Sequence, residues 1–503
     1  MTSELVPRIL ISADRSSSGK TTISMGIMAA LKARGYAVQP FKVALDYIDP
    51  EYHTEIAGRR SRNLDGYLMG EEGVIDVFSH ACTSLETCGK PAEIAVIEGV
   101  RGLYEGLAAD SDIGSTAQIS KILKCPVIMV INARSMTRSC AALVKGFVSF
   151  DPDVNIAGVI LNNIGSKRHA EKAVAAIEST TGVPVIGIVA RNPDMDFWSR
   201  ELGLIPIPEG RKTYDRFSER IELIQKTVME SVDLDKLIQI AETAAPIQIP
   251  KKSRFEGRKA EAGDDAAAEV GTEAGADAGA ETGEIPPKIG VAFDEAFNFY
   301  YPDNMDLILA EGAEIELFSP IRDDKIPDVD ALYIGGGTPE IFAMELSRNE
   351  SMKASIQKAS TAGMPIFAES AGMNYLTNKM TIKSKDAPDV SFKMAGIFDC
   401  TTVYGSGKRV VTYTNGTFEK DTPIGKKGAA FIAHEFHHSI LEDISDDIEY
   451  TIDISRGFGI KDKKDGMVVN NTIGTYVHYH GSSYTDFAKV FVESARAYQR
   501  KKR

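Results

Sequence analysis

The residues best suited to chemistry gather first at Ala13-Asp14-Arg15-Ser16-Ser17-Ser18-Gly19-Lys20-Thr21-Thr22, directly after the apolar run Arg8-Ile9-Leu10-Ile11-Ser12. A Gly-Lys-Thr at a helix entrance turns backbone N–H groups and the positive helix end toward a phosphate. Lys20 then reaches the terminal phosphates and Thr21 offers a hydroxyl to Mg²⁺. Ser18, Gly19, Lys20, Thr21 and Thr22 are the expected ATP-binding set. Asp14 stands where the Gly-x-x-x-x-Gly-Lys pattern calls for glycine, and a serine-rich helix cap is the purely structural alternative. A nucleoside triphosphate also needs acidic groups for its metal. Asp46 follows the second predicted strand, and Glu98 ends the run Ile94-Ala95-Val96-Ile97. At the carboxyl edge of a parallel sheet both would reach a metal beside Lys20. Thr21, Asp46 and Glu98 are therefore the expected metal ligands.

The elements that must position these groups are legible as alternating periodicities. Ile23, Ile27, Met28 and Leu31 have helical spacing after the phosphate loop,. Short apolar runs at Ile94 to Ile97, Val127 to Ile131 and Ala157 to Leu161 each end in polar residues or glycine. Such runs are buried parallel strands whose carboxyl ends carry the chemistry. The rhythm restarts at Ile289 to Phe293, Ile315 to Phe318, Ala331 to Ile334 and Pro365 to Ala368. Between the two halves, Ala260 to Gly283 is nearly all Ala, Gly, Asp, Glu and Thr, with seven acidic residues and no aromatic or basic one. Such a segment buries too little apolar surface to offset its ordering entropy. The expected organisation is α/β throughout: a phosphate-loop ATPase domain over 1–248, a flexible acidic linker over 249–287 and a second α/β domain over 288–503.

Composition narrows the partners. With 503 residues, 43% of them hydrophobic, the chain can bury full-sized cores,. A net charge of −14 argues against a polyanion as the main partner,. The five cysteines, Cys82, Cys88, Cys125, Cys140 and Cys400, lack metal-site or redox-pair spacing,. No basic leader and no run of about 18 apolar residues occurs. The expectation is a cytoplasmic protein that binds neither nucleic acid nor membrane, with a homodimer as candidate assembly.

At Phe41-Lys42-Val43-Ala44-Leu45-Asp46-Tyr47-Ile48-Asp49-Pro50-Glu51-Tyr52-His53 the chain resembles the cobyrinic acid a,c-diamide synthase family. The resemblance continues through Ser61 to Asp65, Val96 to Tyr104, Gly114-Ser115-Thr116-Ala117 and Gly158 to Asn163, and covers both halves. It implies a dethiobiotin-synthetase-like ATPase domain fused to a class I glutamine amidotransferase domain. It also implies that ATP phosphorylates a tetrapyrrole carboxylate and that ammonia, free or from glutamine, displaces the phosphate. Carried over, Asp46 and Glu98 hold Mg²⁺ and position the reacting groups. Tyr47 and Asp49 face the substrate carboxylates, with Ser115 and Thr116 also on the substrate side, and Asn162 reads the adenine. Lys42 stabilises the acyl phosphate or is a solvated strand-end lysine. Ala13 stands where the family usually has glycine, and Ala44-Leu45-Asp46 replaces its common Gly-Pro-Asp. The second departure resembles archaeal enzymes that amidate nickel sirohydrochlorin on the way to the methanogenic nickel coenzyme.

In the second half, Ala331 to Glu340, with Gly335-Gly336-Gly337, resembles an oxyanion-hole loop. Gly336 and Gly337 are the expected oxyanion residues, because glycine lets backbone N–H groups approach a tetrahedral intermediate. Pro365 to Met373 resembles the elbow that presents the nucleophile, a cysteine in the family; here it is Ser370. His478, in Gly474 to His480, is the expected base. The histidines of His434-Glu435-Phe436-His437-His438 are expected to be structural or substrate-facing. A serine hydroxyl needs a well-oriented base where a thiol ionises readily, so glutamine hydrolysis is expected to be weak or absent. A slow Ser370–His478 hydrolase pair is the competing expectation. Two rival readings share the motifs: cobyric acid synthase, which amidates other corrin carboxylates, and a partitioning-class ATPase switch.

Overall fold

The run Arg8–Ala13 is buried at every position, which requires apolar neighbours on both faces. A parallel sheet covered by helices supplies them. In the computed structural model this run is β1, central in a seven-stranded sheet with β2 (Val38–Val43), β3 (Arg62–Leu64), β4 (Ile94–Glu98), β5 (Val127–Asn132), β6 (Ile156–Ile164) and β7 (Val185–Ala190). The order is β3-β2-β4-β1-β5-β6-β7, and every pair is parallel. The carboxyl ends of β2, β4 and β1 therefore lie side by side. Loops from all three open onto one edge, where the strand order reverses, a crevice that receives ligands in such sheets. Register sharpens this: Glu98 is level with Ile11 on one side and with Lys42 on the other. Helix α1 (Lys20–Ala33) leaves the loop after β1 and α2 (Ile48–Ala57) the loop after β2.

The structure describes residues 6–85, 89–195, 199–200, 203–213, 217–256, 285–384 and 387–503. The chain divides into two compact units, Met1–Ser253 and Arg254–Arg503. The expected linker spans this division. Its residues 257–284 lie outside the described residues, as does Cys88. Arg254 and Phe255 depart from the linker expectation: the Arg254 guanidinium donates to the Ser482 carbonyl, and Phe255 packs against the second unit's core. No described helix is long and apolar enough to cross a membrane.

In the second unit the strands Glu314–Phe318, Lys288–Ala292, Ala331–Ile334, Ile366–Glu369 and Thr472–Thr475 run parallel in that order. Their side chains alternate between two cores, Leu332, Ile334, Ile366 and Ala368 on one face, Ala331, Tyr333 and Phe367 on the other, the period of two that a sheet imposes. The α/β rhythm holds this far. From Val410 to Val469 the chain instead adds antiparallel strands to the same sheet. The short strand Val477–His478 closes against Ala430–His437. The run Gly396 to Cys400 enters a separate four-stranded sheet through Phe398–Tyr404.

Candidate active sites

Gly19, the residue before α1, has φ +96°, and a Cβ there would lie 2.2 Å from the Asn162 Nδ2. Only glycine fits that conformation and that approach. Asn162 Nδ2 donates to the Ser18 carbonyl at 3.0 Å, and its Oδ1 accepts from the Asn163 N–H at 2.9 Å. Asn162, expected to read the adenine, thus braces the phosphate loop from β6, with a protein partner at each end of its amide. Asp14, in the place of the pattern's first glycine, accepts the Ser18 hydroxyl at 2.7 Å and pairs with Arg15 at 2.7 Å. The departure adds a tie inside the loop. Lys20 donates to the Arg101 carbonyl at 2.5 Å. Burial, then the neighbouring Lys42 charge, lowers its pKa to about 8, so the ammonium lacks compensation that incoming phosphates would provide.

Beside Lys20 lies a buried ionic cluster. Lys42 is 3% exposed and donates to Asp49 at 2.5 Å and to Glu98 at 2.8 Å. It is therefore not a solvated strand-end lysine. Burial opposes its charge, but Asp49 and Glu98 outweigh it and hold the ammonium protonated. Glu98 accepts the Thr21 hydroxyl at 2.6 Å, and its other oxygen meets His53 Nε2 at 2.7 Å. Burial would raise the Glu98 pKa, yet Lys42 and His53 pull it well below the carboxylate range. Asp49 lies 3.4 Å from the Thr21 hydroxyl. Burial, then the Asp46 charge, pushes Asp49 up to about 7 despite Lys42.

The two acids of this motif, Asp46 expected at the metal and Asp49 at the substrate, take different positions. Asp46 accepts the Ile48 and Asp49 N–H groups at 2.9 and 3.2 Å at the start of α2, where a carboxylate offsets the helix dipole. Asp49, one turn further in, is the carboxylate that joins Glu98 at Thr21. Asp49 and Tyr47, expected to face the substrate, are both buried. Two carboxylates and a hydroxyl are hard oxygen donors that fit Mg²⁺, which takes few protein ligands and completes its shell with phosphates and water. Among the described residues no group of three His, Cys, Asp or Glu forms a ready-made metal cage. His53 carried no expected role. It lies four residues after Asp49, so α2 puts both on one face, and that spacing was the available signal.

Ser115 and Thr116 were expected on the substrate side. Both are fully buried. The Ser115 hydroxyl caps the helix Thr116–Ile122 by accepting the Gln118 N–H at 3.1 Å. The Thr116 hydroxyl donates to the Val100 carbonyl at 3.0 Å and accepts its N–H at 2.9 Å. They fix the loop that follows Glu98.

In the second unit, Ser370 sits on a strained turn, φ +50° and ψ −102°, before the helix Ala371–Tyr375, the geometry of a nucleophile elbow. Gly372 is obligatory, since a Cβ would lie 2.0 Å from the Ile334 carbonyl. The Ser370 N–H donates to the Thr475 carbonyl at 2.7 Å, tying the elbow to the strand that leads to His478. His478 Nδ1 meets Glu369 Oε1 at 2.7 Å, a contact that favours the tautomer with its proton on Nδ1. Glu369 was not among the expected residues; a buried glutamate ending an apolar strand just before the elbow was its signal. Gly336 packs close to His478, where a Cβ would come within 3.1 Å of Cε1. Gly336 and Gly337 pair with Phe299 and Phe297. His434 stacks on His478 with centroids 4.9 Å apart and meets the Tyr301 hydroxyl at 2.7 Å. Burial, then the His478 charge, keeps its pKa well below the usual range. His437 stacks on Tyr476 at 3.8 Å. Cys400 offers no substitute thiol: it is buried, and burial raises its pKa to about 12.

Residues 9–202 match the CobQ/CobB/MinD/ParA nucleotide binding domain, and residues 288–485 match the CobB/CobQ-like glutamine amidotransferase domain. A cobyrinate a,c-diamide synthase of Methanosarcina barkeri is 54% identical over 99% of this chain and 97% of its own length. That of Methanosarcina acetivorans is 53% identical over 97% and 95%. That of Methanobrevibacter smithii is 40% identical over 97% and 99%. The chain thus belongs to the cobyrinate a,c-diamide synthase family, ATP-dependent amide ligases that carry a glutamine amidotransferase domain.

Proposed function

We propose that this chain converts the a- and c-side-chain carboxylates of a tetrapyrrole into carboxamides through acyl phosphates. The supporting observation is the cluster in which Thr21, Lys42, Asp49 and Glu98 meet beside Lys20. A substrate carboxylate oxygen attacks the γ-phosphorus of ATP and the bond to ADP breaks. Ammonia then attacks the acyl carbon, loses a proton, and inorganic phosphate leaves. An ionised carboxylate resists nucleophiles, whereas its acyl phosphate carries a stabilised leaving group. Lys20 receives the terminal phosphates, and Lys42, held charged, faces the transferring group. Thr21, Asp49 and Glu98 would hold Mg²⁺, which neutralises phosphate charge. His53 orients Glu98, and Asp46 sets the start of α2.

Cobyrinic acid is the substrate named for the relatives, and nickel sirohydrochlorin is the second substrate of this reading. Free ammonia is the working nitrogen source, because Ser370 lacks the ready ionisation of a thiol. The test is incubation with ATP, Mg²⁺, each macrocycle and either ammonium or glutamine, followed by mass spectrometry for paired carboxyl-to-carboxamide exchange. Lys20→Ala should lower the ammonium-driven rate by about 10²–10³-fold, the scale of losing one charge-stabilising group. ATP turnover with no change in any macrocycle's mass defeats the ligase reading. Exchange at other corrin carboxylates would favour the cobyric acid synthase reading. Robust glutamine-dependent turnover, lost in Ser370→Ala, defeats the ammonia reading.

A further inference from the structure

One buried carboxylate of the second unit lacks a donor. Glu340 ends the loop that begins Gly335-Gly336-Gly337, and its side chain is only 8% exposed. Neither of its carboxylate oxygens has a hydrogen-bond partner. His438 Nε2 approaches Oε1 to 3.3 Å without the alignment of a hydrogen bond. A desolvated carboxylate without donors is costly to keep, and the cost is recovered when a ligand brings the donors.

The surroundings identify the ligand. One turn beyond Ser370, Asn374 donates to the Tyr404 hydroxyl at 2.8 Å. The Tyr404 ring meets the His438 ring edge-on at 5.1 Å, and His438 reaches Glu340. From the other side, Glu340 lies three residues past Gly337, and neighbouring Gly336 packs near the His478 ring. A relay of contacts therefore links the elbow helix to the unmet carboxylate, and the glycine loop that carries it also borders the base. A molecule that presents its amide to Ser370 and carries a cation for Glu340 is an amino acid with a side-chain carboxamide. We infer that Glu340 receives the α-ammonium group of glutamine, and so selects an amino acid over a plain carboxamide acid. This rests on the second unit being an amidotransferase domain, whether or not Ser370 hydrolyses what it binds.

Slow hydrolysis makes the test direct, because glutamine can be titrated intact. Calorimetric titration of the full-length protein would compare L-glutamine with 4-carbamoylbutanoate, which lacks only the α-amino group. Glutamine should bind, and the analogue at least about tenfold more weakly, since a site built around a polar partner rejects ligands that lack it. In Glu340→Gln, glutamine affinity should fall to the analogue's level while the analogue's affinity is unchanged. Equal binding of the two ligands to wild type, wild-type glutamine affinity in Glu340→Gln, or no glutamine binding to wild type would each overturn the assignment. If Glu340→Gln does not fold, the wild-type ligand comparison decides alone. Ammonium-driven amidation by wild type, assayed in parallel, reports on the Lys20 site independently.

Discussion

Ser370 and Glu369 carry the proposed chemistry of the second unit at the scale of single residues. The carboxylate holds His478 by Nδ1 and the elbow presents the hydroxyl, so the machinery around the nucleophile is built while the nucleophile itself is a weak one. Ser370→Cys should therefore raise glutamine hydrolysis roughly a hundredfold, the scale of one positioned catalytic group. Glu369→Gln in that background should remove most of the gain, because an amide cannot stabilise the imidazolium as a carboxylate does. A glutamate-release assay measures both. No rise in Ser370→Cys would mean that the elbow and His478 are not in working register. The elbow turn at Ser370 was legible from residue type and local pattern. Glu369 was marked only by its place before that elbow, because its partner His478 lies 109 residues away in the chain.

Among elements, the loop between β1 and α1 depends on β6. Gly19→Ala would impose a side chain at φ +96° and press it into Asn162. Strain plus displacement should cost about 1–3 kcal/mol, lower the unfolding midpoint and raise the KM for ATP, since the backbone N–H groups of the cradle shift with it. Unchanged melting and KM would show that the loop does not need this brace. The helix start explains why Asp46 and Asp49 lie in different surroundings. Both acids lie in one short motif, and sequence spacing alone does not say which one caps the helix and which turns inward. The antiparallel strands between Val410 and Val469 were missed for a related reason: mixed burial, as at Val410–Phe418, lacks the continuous apolar runs that reveal a parallel strand.

For the molecule as a whole, buried carboxylates shape the pH dependence of stability. Burial, then the Glu435 charge, raises Asp465 from 3.8 to about 7. Between those values the folded state holds a proton that the unfolded chain has released, so stability falls as pH rises across this window. A shift of this size corresponds to about 4 kcal/mol at most. Asp49 acts in the same sense, whereas the depressed Glu98 contributes stability that is lost only below about pH 4.5. Melting from pH 5 to pH 8 should show a decline, and Asp465→Asn should flatten it. An equal decline in that variant would place the titrating group elsewhere.

From the sequence alone came two α/β halves, a phosphate loop at Lys20 and Thr21, an acid at Glu98 and a serine at the elbow, because periodicity and turn chemistry are local. Tertiary structure decided which groups share a charge cluster. The order β2-β4-β1 sets Lys42 level with Glu98, α2 brings Asp49 and His53 to them, and burial leaves each charge dependent on its neighbours. Ser115, Thr116 and Asn162 make hydrogen bonds that brace loops, because where a hydroxyl or amide points depends on the chain packed against it.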